Sequence, residues 1–335
     1  MFKNQTIVLV GAGASAEFGL GTGVGLFEAA AKEDEKLTSK GGELADRLFH
    51  SFWEFIRFNN MHGEQEAFRK LVAKLKESHS QSIDLFAYNN PSFANIAKLY
   101  TAWNLIRDLY LVSNERTHDG RAFKRVSHNY NWRSPKVGTG ENLRNNWIGE
   151  LANLFLGGAA NSADLANNKL MFVTFNYDMI LEETFPWIVR SQERYADTPD
   201  ELLPEIIHLH GQINRPKEDQ LNKLYFEEQA SNIKFISDTL GAPSENVSRA
   251  RSALANADRV YSIGFAFEEL NANLLAAGQW GRKTVALNFD GNTKVTNAMK
   301  RVGVSESNIW SGSDTIALPA GLAASRGFFD ARPII

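Results

Sequence analysis

Residues 6–23 read TIVLVGAGASAEFGLGTG. The first five are apolar or β-branched with no alternation, the pattern of a strand covered on both faces, as in a parallel sheet. The run then breaks into Gly11-Ala12-Gly13-Ala14-Ser15-Ala16, which fits G-x-G-x-x-G/A directly behind a strand. In such turns the first glycine permits the bend. The second lets the backbone approach a pyrophosphate, and the third small residue lets the following helix pack on the sheet. The helix then points its amide hydrogens and positive dipole end at the phosphate. A tight strand-to-helix turn that holds no ligand satisfies the same pattern, so the motif alone leaves both readings open.

Further apolar runs lie at residues 170–174, 206–209, 259–263 and 284–288, each ending in a polar or glycine-containing turn. Residues 179–190 and 248–257 suit crossover helices between them. The expected fold is α/β: a Rossmann-like open parallel sheet with helices on both faces. From residue 26 to 158 no strand is expected, and apolar residues recur at helical spacing instead. Leu44, Leu48, Phe52 and Phe55 form one such set, and Phe68, Leu71, Val72 and Leu75 a second. Ile96, Leu99, Tyr100, Trp103, Leu105, Ile106 and Leu109 form a third. The expected organisation is therefore a nucleotide-binding domain of residues 1–25 and 159–335, with a helical subdomain of residues 26–158 inserted after the first strand–helix unit. Residues 115–141, which mix glycine, serine and asparagine with aromatic and basic residues, are expected to be irregular.

Of the 335 residues 43% are hydrophobic and 22% charged, and the net charge is −3. That balance argues against bulk attraction to nucleic acid or an anionic membrane. Cysteine is absent from the sequence, which excludes disulfides, thiolate catalysis and cysteine-held zinc. There is no apolar run long enough for a spanning helix and no signal-peptide pattern at the start, so a soluble cytoplasmic protein is expected. A nicotinamide dehydrogenase needs a second strand ending in an acidic residue about 20 residues after the glycine turn. Residues 28–43, EAAAKEDEKLTSKGGE, carry Glu33, Asp34 and Glu35 as a charge run with no strand before them, and a solvated helix face is expected there.

Ligands of open parallel sheets sit beyond the carboxyl ends of the strands. Polar groups collect at those ends: Asn176 and Asp178 after the second run, His210 and Gly211 after the third, Gly264 and Phe265 after the fourth, and Asn288 at the end of the fifth. Singly, each has an ordinary reading as a helix cap, a structural histidine or a turn. Together they converge on the glycine turn.

GAGAS, FNYD, HLHG, SIGF and LNFD stand in the order found in the sirtuin superfamily. They more closely resemble bacterial sirtuin-like domains that cleave NAD in antiphage defence. The resemblance covers about residues 6–22 and 170–288 and leaves the helical insertion aside. It implies that Gly11, Ala12, Gly13 and Ser15 line the pyrophosphate and nearby ribose, with Thr22 at the far end of that loop. It implies that Asn176 orients the nicotinamide ribose and the attacking oxygen, that Asp178 lies beside the nicotinamide carboxamide, and that His210 acts on the ribose hydroxyls. Gly264 and Phe265 then face the phosphates and the adenosine side, and Asn288 the adenosine ribose. His208 shares a strand face with His210, but the glycine after His210 favours the latter.

Sirtuin deacylases carry a four-cysteine zinc module, which this chain lacks. Peptide deacylation is thereby disfavoured and no metal is expected. The implied activity is NAD glycohydrolysis, NAD being the substrate, with nicotinamide and ADP-ribose as products. A catalytically silent module sensing NAD or ADP-ribose is the alternative. The resemblance also implies a homo-oligomer, and a separate activator such as a HerA-type ATPase or an Argonaute. Arg121, Lys124, Arg125, Arg133 and Lys136, interleaved with Phe123, Tyr130 and Trp132, form a pattern able to bind nucleic acid or to cap phosphates. A solvated charged loop is favoured over either.

Overall fold

A computed structural model describes residues 1–18, 20–33, 51–80, 82–116, 122–128, 146–214, 222–239, 243–289, 291–312 and 320–331. The strands in chain order are β1 (Thr6–Val10), β2 (Tyr110–Arg116), β3 (Ala122–His128), β4 (Leu170–Thr174), β5 (Glu205–His208), β6 (Arg259–Ile263), β7 (Thr284–Asn288) and β8 (Ile309–Ser311). Six of them form one sheet in the order β5-β4-β1-β6-β7-β8. Every pairing in it is parallel. This is the doubly wound Rossmann arrangement, with the chain reversing its direction of travel across the sheet between β1 and β6. Four expected strands coincide with β1, β4, β6 and β7, and the fifth is β5, one residue earlier than the apolar run.

Two compact units are present: Met1–Phe18, Trp132–Leu209 and Leu240–Ile335 in the first, Gly19–Asn131 and His210–Thr239 in the second. In the first, β1 is buried along its whole length. Its alternate residues serve two cores, as a strand covered on both faces requires. Ile7 and Leu9 join Val173, Ile207, Val260, Leu254 and Trp280 on one face. Val8 lies in register with Phe172 and Tyr261. Phe172 packs edge-on against Phe185 of the helix Ile180–Arg190, which meets Phe155 of the helix Trp147–Leu156. Tyr261 packs against Phe328 and Phe329. The edge strands β5 and β8 are short and partly exposed, which limits open pairing.

The second unit is built from helices that include Gly23–Lys32, Phe52–Phe58, His62–Lys76, Ile83–Asn89, Ala94–Leu109 and Lys223–Asn232. Its core is aromatic: Phe52 meets Phe68, Tyr100 and Trp103, and Phe55 meets Phe226. The second and third sets of helically spaced residues lie on His62–Lys76 and Ala94–Leu109, with their described side chains buried. Of the first set, Phe52 and Phe55 are buried, while Leu44 and Leu48 lie outside the described residues.

The expectation that residues 26–158 hold no strand is corrected by β2 and β3. They pair antiparallel from Tyr110 opposite His128 to Arg116 opposite Ala122. A hairpin ladder is set by backbone bonds and needs no apolar run, and Glu115, Arg116, Lys124 and Arg125 break any such run here. For the same reason the irregularity expected of residues 115–141 fails at 115–116 and 122–128, and residues 129–141 are not described. Glu33 also departs from its expected solvated face. It is half-buried, accepts the amide of Phe52 and has its carboxyl pKa raised by burial. Asp34 and Glu35 lie outside the described residues. No helix among those described is long and apolar enough to cross a membrane.

The glycine turn meets β6 backbone to backbone. Gly11 donates its amide to Ile263 O at 2.9 Å, and Gly13 donates to Gly264 O at 3.1 Å. A Cβ on Gly11 would stand 2.7 Å from Phe265 Cα, and one on Gly13 2.9 Å from Gly264 Cα. Gly264 has φ +66°, and a Cβ there would collide with the amide of Ala14. The left-handed conformation and the collision act together, so Gly264→Ala is expected to cost about 2–5 kcal/mol. A drop in the urea midpoint with an unchanged slope checks this, and a midpoint equal to wild type refutes it.

Candidate functional site

At the carboxyl ends of β1, β4 and β6 a small set of polar side chains is drawn into the sheet unit. Asn176 follows β4 and is buried. Its amide hydrogen is taken by Thr174 Oγ1 at 3.0 Å. Its side-chain Nδ2 donates to Gly11 O at 3.2 Å and to Ser15 Oγ at 2.8 Å. Gly11 O can only accept, so the carboxamide orientation is fixed and both Nδ2 hydrogens are used. Among the described residues Asn176 Oδ1 is left as a buried acceptor with no hydrogen-bond partner. Such an atom is costly unless something arrives to donate to it.

Ser15, on the short turn Ala12–Ser15, passes its hydroxyl hydrogen to Asp178 Oδ2 at 2.8 Å. Asp178 Oδ1 accepts the amide of Ile180 at 3.1 Å and so holds the start of the helix Ile180–Arg190. Burial raises the Asp178 carboxyl pKa, Glu182 raises it further, and the Ile180 amide, Ser15 hydroxyl and His208 oppose. Ser15 thus receives from Asn176 and gives to Asp178, and its hydroxyl is spent within the protein.

His208, the last residue of β5, lies in register with Thr174. Its Nδ1 is 2.9 Å from Asn176 O, and its Nε2 contacts Glu182 Oε1. Burial lowers the His208 pKa, but the hydrogen bond and charge of Glu182, with smaller help from Asn176 O and Asp178, carry it above its ordinary value.

Other sequence-derived candidates take structural positions in the sheet unit. The amide of Gly11 is committed to Ile263 O at the end of β6, that of Gly13 to Gly264 O just beyond it and that of Ala14 to Gly11 O. Ala12 opens the short turn between them. Phe265 is buried in the core and stacks on Phe175 at 4.8 Å. Two residues on, Phe267 adopts φ +53°, a conformation costly for a bulky side chain. Asn288 is buried, and its Nδ2 donates to Asn292 O and Thr296 Oγ1, tying β7 to the helix Thr293–Arg301.

His210 belongs to the second unit, directly after the last residue of the first. It is buried, and its carbonyl accepts the amide of Lys234 at 2.6 Å. Gly211 has φ +80°, and a Cβ there would collide with Asn232 O, which explains the glycine. Burial pushes the His210 pKa down to about 4, against the opposing pull of Asp238. Thr22 caps the helix Gly23–Lys32, its hydroxyl accepting from Gly25 at 3.2 Å.

The structure therefore brings Ser15, Asn176 and Asp178 together. Glu182 did not stand out in the sequence, because its partner lies 26 positions away. His208 was visible in HLHG, and its link to Asn176 O is the signal that only the structure supplies. Among the described residues no group of three or more His, Asp or Glu is placed to hold a metal ion.

No family model matches the chain, and no curated protein matches it. Among solved structures it is similar to a mutant Sir2 homologue in complex with 2'-O-acetyl ADP-ribose, at 14% identity and TM-score 0.42, over 97% of this chain and 90% of that one. It is also similar to a Sir2 homologue in complex with NAD, at 12% identity and TM-score 0.34, over 90% of this chain and 88% of that one. These are distant likenesses, and the chemistry of the site rests on its own atoms.

The depressed His210 pKa has a consequence for stability. From the ordinary value of 6.5 down to about 4, the unfolded chain binds a proton that the folded chain refuses. Stability therefore falls with acidification through that window, by on the order of 3 kcal/mol at its foot. His208 acts with the opposite sign: its contribution is full below the ordinary value and is lost as pH rises through the raised one. Thermal unfolding of wild type and His210→Gln from pH 7.5 to 4.5 separates the two. The melting temperature of the variant should decline less on acidification, and parallel curves would refute this assignment.

Proposed function

We propose that this protein is an NAD glycohydrolase. The observation that carries the reading is Asn176 Oδ1, an acceptor held at a strand end by two spent hydrogens and left without a partner in a buried position. A ribose hydroxyl or the attacking water supplies the missing donor. Supporting it are the glycine turn at the reversal of sheet order, where dinucleotides bind in this architecture, and the sequence order of GAGAS, FNYD, HLHG, SIGF and LNFD.

In the proposed reaction the bond between the ribose C1' and the nicotinamide nitrogen breaks, and its electron pair leaves with nicotinamide. Water adds to the oxocarbenium-like carbon, and one of its protons passes to a base. Asn176 orients the ribose hydroxyl and the water, an effect of positioning and preorganised dipoles. Asp178, with its carboxyl pKa raised, holds the carboxamide. His210 is the proposed proton acceptor on the resemblance of HLHG alone. The products are nicotinamide and ADP-ribose.

The resemblance to defence domains extends the proposal to an effector that depletes NAD on phage infection. Such an activity must be held off at rest, by packing in a homo-oligomer or by a separate regulator.

Purified protein incubated with NAD, alone and with neighbouring gene products, should release nicotinamide without any acylated peptide. Asn176→Ala and His210→Ala should each lower kcat/KM by roughly a hundredfold or more. Undiminished release by Asn176→Ala would overturn the mechanism. Tight NAD binding with no release in any mixture would favour a sensor.

A further inference from the structure

We propose that His208, braced by Glu182, is a positioning residue that aims Asn176 Oδ1 by holding the backbone carbonyl of the same residue. The proposal rests on the reading of this site as one that cleaves NAD.

Asn176 is tied at each of its other polar groups. Thr174 Oγ1 accepts its amide hydrogen, Gly11 O and Ser15 Oγ accept from its side chain, and His208 Nδ1 lies 2.9 Å from its carbonyl. A carbonyl can only accept, so Nδ1 carries the hydrogen and donates it. The opposite ring nitrogen meets Glu182, in the first turn of the helix Ile180–Arg190. The backbone of His208 is held as well, because Asn246 Nδ2 donates to its carbonyl at 2.9 Å. Without the His208 contact the carbonyl of Asn176 loses that hold, and the side chain on the same residue is less firmly aimed.

The device works with imidazolium. A charged ring donates from both nitrogens at once, to Asn176 O and to Glu182. A neutral ring has one hydrogen, and either the carbonyl or the carboxylate then faces a lone pair. The acidic groups acting on the ring are Glu182 and Asp178, and both favour the charged form. The grip therefore weakens as pH rises through the elevated His208 pKa, and kcat should fall on that alkaline limb.

Four variants test this. His208→Ala removes the donor and should lower kcat for nicotinamide release by roughly tenfold to a hundredfold, with KM within about twofold. His208→Asn places an amide nitrogen where Nδ1 stood. It should recover most of the loss and, having no titrating ring, should abolish the alkaline limb. Glu182→Gln donates to Nε2, holds the neutral ring with its hydrogen on Nδ1, and should also abolish the limb. Glu182→Ala should move the limb to lower pH.

A readout independent of turnover is the 1H–15N signal pair of the Asn176 carboxamide. It should be sharp and slow to exchange in wild type and His208→Asn, and broadened in His208→Ala and in wild type at high pH. An unchanged pair in His208→Ala overturns the proposal, as does an alkaline limb that persists in His208→Asn. Wild type that releases no nicotinamide yet shows the expected signal changes would refute the NAD-cleaving reading and leave the clamp standing.

Discussion

The glycine turn and the end of β6 share a space too small for any Cβ. Gly11 and Gly13 spend their amides on Ile263 O and Gly264 O, and Gly264 presses back on the amide of Ala14. Much of the sheet unit follows from that approach. It fixes where β1 ends, and so where Gly11 O and Ser15 lie to receive Asn176. It also falls where the order of strands reverses, the place at which an open parallel sheet offers a crevice. A turn with side chains at these positions would part the two strand ends and disperse the polar set beyond them.

Around that junction the chain treats its polar atoms unequally. Ser15, Asp178, Thr174 and His208 are paired among themselves or with the backbone of the FNYD loop. Asn176 Oδ1, among the described residues, has no such partner. The two neighbouring histidines divide similarly: burial wins at His210, whereas Glu182 wins at His208. A carboxylate on a helix turn outweighs burial at His208, and two histidines two positions apart in the sequence acquire opposite preferences.

The central strands were legible because burial on both faces writes itself as mostly apolar runs without alternation at residues 6–10, 170–174, 259–263 and 284–288. β8 was not, since three residues with partial exposure carry no period. β5 was displaced by one because Leu209 extends the apolar run past the ladder, while Glu205 opens it with a charge. β2 and β3 were hidden by charged residues at a backbone-defined hairpin. In the site, the residue types and their order could be read, but their pairing could not. The bond from Asn176 to Gly11 O spans 165 positions and the one from Ser15 to Asp178 spans 163. Nor could local pattern tell that Gly13 serves the backbone of β6, or that the amide of Asn288 is consumed by Asn292 and Thr296.

The pairing of β1 has a consequence for how the molecule is made. Thr6 lies beside Leu170 on one side and Arg259 on the other, so the most deeply buried strand waits for partners far downstream. During synthesis about 250 residues separate β1 from the second of them, an interval of roughly 10–50 s at ordinary elongation rates. Until residues 170–174 are made TIVLV has neither neighbour in the sheet, it lacks the second until residues 259–263 follow, and long-range parallel pairing is slow once both are present. The nascent chain therefore carries a buried-type strand with at least one open, aggregation-prone edge until residues 259–263 are made.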